Sequence, residues 1–220
     1  MDWTRAVDGY CERLDATYWA EPVNALTNVA FLLAALVVWR RLGSASLPLA
    51  RALVMVLAAI GVGSFLFHTH ARAWAALADV VPILGFVLIY IYAANRGFWG
   101  MGRVAALVGV VVAVGLSAAS VPLFATIPVL GLSAGYLPLP VLIAGYGLAL
   151  RRRAPETGRN LLIAAMLLLL SLICRSLDPV ICPVFAPGTH FGWHLLNALM
   201  LGWMIELYRR HMLAPPVPRR

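Results

Sequence analysis

The sequence predicts an all-α membrane protein, a seven-transmembrane helix bundle with its N-terminus outside and its C-terminus in the cytoplasm. Three observations predict it. Of 220 residues, 62% are hydrophobic and only 12% charged, and a mean hydropathy of +0.88 lies well above that of soluble domains. Nearly uncharged runs long enough to cross a ~30 Å hydrocarbon core, at about 1.5 Å per helical residue, recur along the whole chain. The arginines, which with five histidines are the only basic residues, gather in alternate connections.

The spans are placed near residues 22–39, 52–70, 74–94, 104–121, 129–150, 160–177 and 190–208. Ahead of them lies a polar segment, residues 1–21, with Asp2, Asp8, Glu12, Asp15 and Glu21. It lacks the basic start and short apolar core of a cleaved signal peptide, so the first span is expected to remain in the mature protein. Arg40, Arg41 and Arg51 flank the first connection. The third span carries Asp79 and Pro82, and the fifth carries Pro138 and Pro140; proline removes a helical hydrogen bond, so these two are expected to kink or break. Arg96 and Arg103 flank the third connection, Arg151, Arg152, Arg153 and Arg159 the fifth, and Arg209, Arg210, Arg219 and Arg220 follow the last span. The positive-inside rule makes those sides cytoplasmic and leaves only Arg5, Arg13, Arg72 and Arg175 outside.

Residues 22–210 then form one transmembrane domain, and 211–220 a Pro/Arg-rich cytoplasmic tail, disordered from Pro215 onwards. A formal charge of +8 is accounted for by loops lying on an anionic leaflet, so no nucleic acid is assigned as a partner. No obligate protein partner is evident. Short loops and an Arg- and Ala-rich composition point to a bacterial inner-membrane protein with its outer face in the periplasm, or a lumenal or extracellular face in a eukaryote. Cys11 and Cys182 both fall on that face, whereas Cys174 falls inside the sixth span. An outer disulfide and two free thiols are both open.

The same topology aligns the polar residues. Ser64 and His68 lie one helical turn apart in the outer half of the second span, Asp79 enters the third at that level, and His190 and His194 stand one turn apart where the seventh begins. Ionisable groups in membrane helices are costly and mark function by default. Two imidazoles at i, i+4 and a third from another helix suit a catalytic zinc that keeps its fourth position for water. Such a site can hydrolyse an acyl bond, with Asp79 as general base or as a histidine-orienting acceptor, and Ser64 as oxyanion donor or holder of the hydroxide. The bland alternative for each is a helix–helix hydrogen-bond partner, and Gly63-Ser64 also reads as a small-residue packing pair. His70 and His211 are assigned no role beyond interface or packing. Trp19, Trp74, Trp99, Trp193 and Tyr208 are read as interface anchors. Phe65, Phe67, Phe86, Phe185 and Trp193 could line a lateral entry for a lipid, though packing explains them equally.

The pattern Ser64-x-x-x-His68, Asp79, then His190-x-x-x-His194 resembles the alkaline ceramidases and the wider CREST superfamily of seven-span hydrolases, which also includes the progestin and adipoQ receptors. Tyr10-Cys11-Glu12 followed by Glu21-Pro22-Val23-Asn24-Ala25-Leu26-Thr27-Asn28 is similar to the ceramidase branch in particular. The resemblance implies a zinc-dependent amidase that cleaves the N-acyl bond of ceramide or a related N-acyl lipid to a fatty acid and a sphingoid base. His68, His190 and His194 would bind zinc, with Ser64 and Asp79 catalytic. It also implies an N-terminal calcium site, for which Asp8, Glu12, Asp15 and Glu21 are the candidates, and a Cys11–Cys182 disulfide. Gly9 and Leu14 depart from the family's acidic pattern at that site. The rival expectation is a receptor or sensor on the same scaffold, with a structural zinc and no turnover.

Overall fold

The computed structural model describes residues 2–7 and 9–214. Its elements are helical throughout: α1 (Pro22–Thr27), α2 (Val29–Leu42), α3 (Pro48–His70), α4 (Ala73–Gly97), α5 (Arg103–Ala125), a 3-10 turn (Leu130–Ser133), α6 (Pro138–Leu150), α7 (Pro155–Ile181) and α8 (His190–Leu213). Among the described residues no strand forms beyond an isolated bridge between Ala6 and Arg72. Four helices, α1, α3, α6 and α7, open on a proline in the first turn, where the missing N–H has no helical acceptor to lose. α1 and α2 make one rod, Pro22–Leu42, interrupted only at Asn28, whose side-chain amide donates to the Asn24 carbonyl at 2.8 Å.

Five of these lengths are long and apolar enough to cross a membrane: the α1–α2 rod, α3, α4, α5 and α7. The chain is an integral membrane protein. The fifth expected span, 129–150, is shortened, because helix resumes only at Pro138 and α6 has 13 residues, about 20 Å of rise. α8 is long enough at 24 residues, but its three histidines, Glu206, Arg209 and Arg210 make it more polar than the others. It continues to Leu213, past the point where the tail was expected to begin; residues 215–220 lie outside the described residues. α5 buries only Ala106 and Ala113 and shows valine and leucine on its remaining faces, the composition of a helix that lipid surrounds.

α4 does not break at Pro82. Proline cannot donate to the carbonyl four residues back, here Ala78, and that carbonyl lies against α3 at Gly63, where any Cβ would overlap it. The glycine therefore lets α3 and α4 approach at the level of Ser64 and Asp79. Further along, Phe31, Leu53, Leu57, Ile60, Phe86, Leu161, Leu172 and Ile205 make the shared core.

The N-terminal segment folds back over one end of the bundle. The Val7 amide donates to Ala71 at 2.8 Å, and Ala73 donates to Arg5 at 3.0 Å, so the segment zips across the α3–α4 turn. Ala71 closes α3 in the left-handed region, at φ 46. A disulfide joins Cys11 to Cys182 beyond the end of α7, with the two Cα atoms 5.3 Å apart. The lid is thus fastened at both sides.

Gly63→Ala is expected to destabilise the protein by about 1–3 kcal/mol, the usual cost of overpacking, and to lower its thermal unfolding midpoint in detergent. Gly115→Ala in α5 is the control: a Cβ there meets nothing within 4 Å, so the midpoint should hold or rise.

Candidate metal centre

The covered end of the bundle carries His68 in the last turn of α3, with His190 and His194 in the first two turns of α8. All three are buried, at 1%, 2% and 0% exposure. One nitrogen from each lies within 4.8 Å of the other two. Nε2 of His68, Nε2 of His194 and Nδ1 of His190 have no hydrogen-bond partner. A buried polar atom without a partner costs about 1–3 kcal/mol, and a cluster of them facing one another is what a metal ion needs.

The remaining nitrogens of the two Nε2 donors are held. His68 Nδ1 meets Glu21 Oε2 at 2.6 Å, and a carboxylate there fixes the proton on Nδ1 and frees Nε2. His194 Nδ1 meets the Thr27 hydroxyl at 2.9 Å; because that hydroxyl donates to the Val23 carbonyl at 2.8 Å, it accepts from the ring. Glu21 precedes α1 and Thr27 ends it, so this short helix orients ligands from α3 and α8 together. Orienting contacts of this kind set the tautomer and raise ligand basicity.

His190 is placed through its backbone. Asp178 of α7 is fully buried, and its carboxylate accepts from the amides of Thr189 at 2.8 Å, His190 at 2.9 Å and Cys11 at 3.0 Å. An acceptor at a helix N-terminus satisfies orphan amides and complements the dipole. Gly188 at φ +65 makes the approach possible, since a Cβ would overlap the Asp178 carboxylate. Above, the Tyr10 ring stacks on His190 with centroids 3.8 Å apart. Burial pushes the Tyr10 phenol above its ordinary value.

Ser64, one turn before His68 on α3, and Asp79 line a largely apolar, partly open cavity. The two residues come from α3 and α4 where Gly63 lets those helices approach. The cavity follows α4 from Asp79 to Ile91, about 18 Å at 1.5 Å per residue. Phe86 and Trp193 of the expected entry residues line it, and Phe65, Phe67 and Phe185 do not. Trp193 and Tyr208, expected as interface anchors, are buried at 7% and 4%. His211 instead bonds the Thr157 hydroxyl at 2.8 Å, and His70 packs against Tyr18 and Trp74.

Of the four residues expected to bind calcium, the three described ones, Glu12, Asp15 and Glu21, each have another partner. Glu12 accepts from the amides of Val23 and Asn24 at 2.6 and 2.8 Å, capping α1. Asp15 accepts from the Thr17 hydroxyl at 2.6 Å, which holds its carboxyl below the ordinary range. Glu21 is taken by His68 and by Arg13, and Asp8 lies outside the described residues. Among the described residues the histidine trio is the one group that could hold a metal. With those bonds made, the carboxylates of Glu12, Asp15 and Glu21 are not the freely converging oxygens that calcium wants.

An all-helical membrane protein with a buried three-histidine centre against an apolar cavity belongs to a narrow class, and comparison with known families agrees. The family model described as Ceramidase matches residues 7–211, nearly the whole chain, and the chain belongs to that family. A search of curated proteins returned no match. Family membership implies a hydrolase and a lipid substrate.

Glu21→Gln is expected to weaken metal retention on the order of 10- to 100-fold, as removal of a ligand-orienting partner does, read by competition with a metal chelator. Thr27→Val should act in the same direction through His194. Unchanged retention in both would leave these contacts without a role in orienting the ligands.

Proposed function

We propose that this protein is a zinc-dependent amidase that cleaves the N-acyl bond of ceramide, or of a related N-acyl lipid, at the outer leaflet. The observation that carries the reading is the convergence of three buried, unpartnered imidazole nitrogens beside an apolar cavity whose polar end holds Ser64 and Asp79. Imidazole nitrogens at a site with no fourth side chain in the cluster, among the described residues, suit catalytic zinc, since structural zinc is almost always closed by four protein ligands. That open position favours turnover over a receptor with structural zinc.

His68, His190 and His194 would hold the ion, whose Lewis acidity polarises the amide carbonyl and lowers the pKa of water to roughly 7. Asp79 takes the proton the water gives up and passes it to the departing amine. The orienting positions on His68 and His194 are already filled by Glu21 and Thr27, which leaves the carboxylate of Asp79 for this work. Ser64 donates a hydrogen bond to the carbonyl oxygen as its charge develops. Phe86, Tyr90, Trp193 and Met204 along the cavity receive one hydrocarbon chain, over a length comparable with half of the ~30 Å bilayer core.

The α1–α2 rod and α3 to α8 make seven spans in this reading. The acidic segment 1–21 is then on the outer face of the transmembrane domain 22–210, and the arginine-rich connections lie in the cytoplasm. In a bacterium the site then faces the periplasm, where the Cys11–Cys182 bond persists.

Purified wild type should contain about one zinc per chain and release fatty acid from ceramide; His194→Ala should lose both. Asp79→Asn is expected to keep the metal and lose about 10²- to 10⁴-fold in rate, the usual cost of a missing general base. Ser64→Ala should lose roughly 10²- to 10³-fold, as for one oxyanion donor. Full turnover in Asp79→Asn would remove the base assignment, and zinc retained by His194→Ala would remove the site. A C-terminal tag should resist protease added to intact cells.

A further inference from the structure

Arg13 is a buried cation that the proposed chemistry does not use. Its side chain is 5% exposed, and its guanidinium is surrounded by oxygen. Nε donates to Glu21 Oε1 at 2.5 Å, one terminal nitrogen donates to the carbonyls of Asp15 at 3.2 Å and Thr17 at 3.5 Å, and the other donates to the carbonyl of His68 at 2.9 Å. The second oxygen of the same Glu21 carboxylate meets the His68 ring. One guanidinium therefore grips His68 twice, at its backbone directly and at its ring through Glu21. The His68 carbonyl lies in the last turn of α3, where helical donors run out and a cation is favoured by the helix dipole.

One carboxylate and three backbone carbonyls around a buried positive charge is also the donor chemistry that a hard divalent cation takes. Here the position is filled by a side chain. We propose that Arg13 is a built-in cation and the positioning residue for His68, and that it makes the metal centre independent of calcium. Its planar fork is suited to holding four differently oriented acceptors at once, which a lysine ammonium on a flexible stem is not. The proposal rests on the three-histidine centre being a zinc site.

The test uses the full-length protein in detergent, with zinc affinity measured by competition with a chromophoric chelator and ceramide hydrolysis measured beside it. Wild type should show the same zinc affinity and rate in millimolar calcium and in a calcium-selective chelator. Arg13→Met should weaken zinc binding on the order of 10- to 100-fold, the range for lost ligand-orienting partners. Arg13→Lys, which keeps the charge and loses the fork, should fall between the two and gives the answer should the methionine variant fail to fold. Arg13→Ala opens the oxygen-lined space, so added calcium should restore part of its zinc affinity, an effect that general loss of stability would not produce. Wild-type zinc affinity in Arg13→Met and Arg13→Lys overturns the proposal, as does a wild type that needs calcium or an alanine variant that ignores it. A wild type that binds no more zinc than His194→Ala would instead remove the function on which the proposal rests.

Discussion

The rest of the structure depends on three imidazole nitrogens that face one another with nothing between protein atoms to satisfy them. Burial without a partner is unfavourable for each, and no single helix could enforce it. The arrangement is held by contacts from four directions. Glu21 and Thr27 at the two ends of α1 grip the rings of His68 and His194, Asp178 of α7 pins the backbone at His190, and Tyr10 of the covering segment lies on its ring. All but the Asp178–His190 bond link segments far apart in sequence, so the centre and the tertiary fold stand or fall together.

That distribution explains what could and could not be read from the chain. The histidines were legible because helical spacing and the arginine bias are local signals: i, i+4 puts His190 and His194 on one face, and alternate loop charges put His68 and Asp79 at their level. In the folded chain the three histidines do meet, and the helical class holds. The partners were not legible, because they come from segments with no periodicity. Glu21 stood out only as an acid among acids, and calcium seemed its natural ligand; its place between a guanidinium and an imidazole depends on how residues 9–21 fold back. Asp178 sits at the end of an apolar run with no sequence neighbour to suggest that its acceptors face backbone amides of another helix. Trp193 near a span end has the address of an interface anchor, and only its contacts with Tyr136 and with Arg175 of α7 show it turned inward.

Proline gives a second instance of local rules outvoted by contacts. Pro138 delays α6, as its fixed φ and missing donor require, and the fifth span is shortened. Pro82 leaves the Ala78 carbonyl without a donor just as surely, yet α4 continues, because Gly63 on the facing helix offers backbone rather than a side chain at that point. The freed carbonyl is accommodated at the same level that brings Asp79 beside Ser64. A residue that weakens one helix thereby fixes the approach of two.

The covering segment has to reconcile opposite demands. It must exclude bulk water from the histidines, since field strength and ligand orientation both gain from a dry site, yet it is polar backbone without a helix to satisfy it. Its amides and carbonyls are spent on the α3–α4 turn, on Asp178 and on Arg13. Every one of those partners is also attached to a residue of the centre or its immediate support: Ala71 follows the helix of His68, Asp178 holds His190, and Arg13 holds Glu21. The hydrogen bonds of the lid are thus also the scaffold of the site, so lifting it would disturb the ligands; the apolar cavity, with Ser64 and Asp79 in its wall, approaches the same level from within the bundle and needs no such movement.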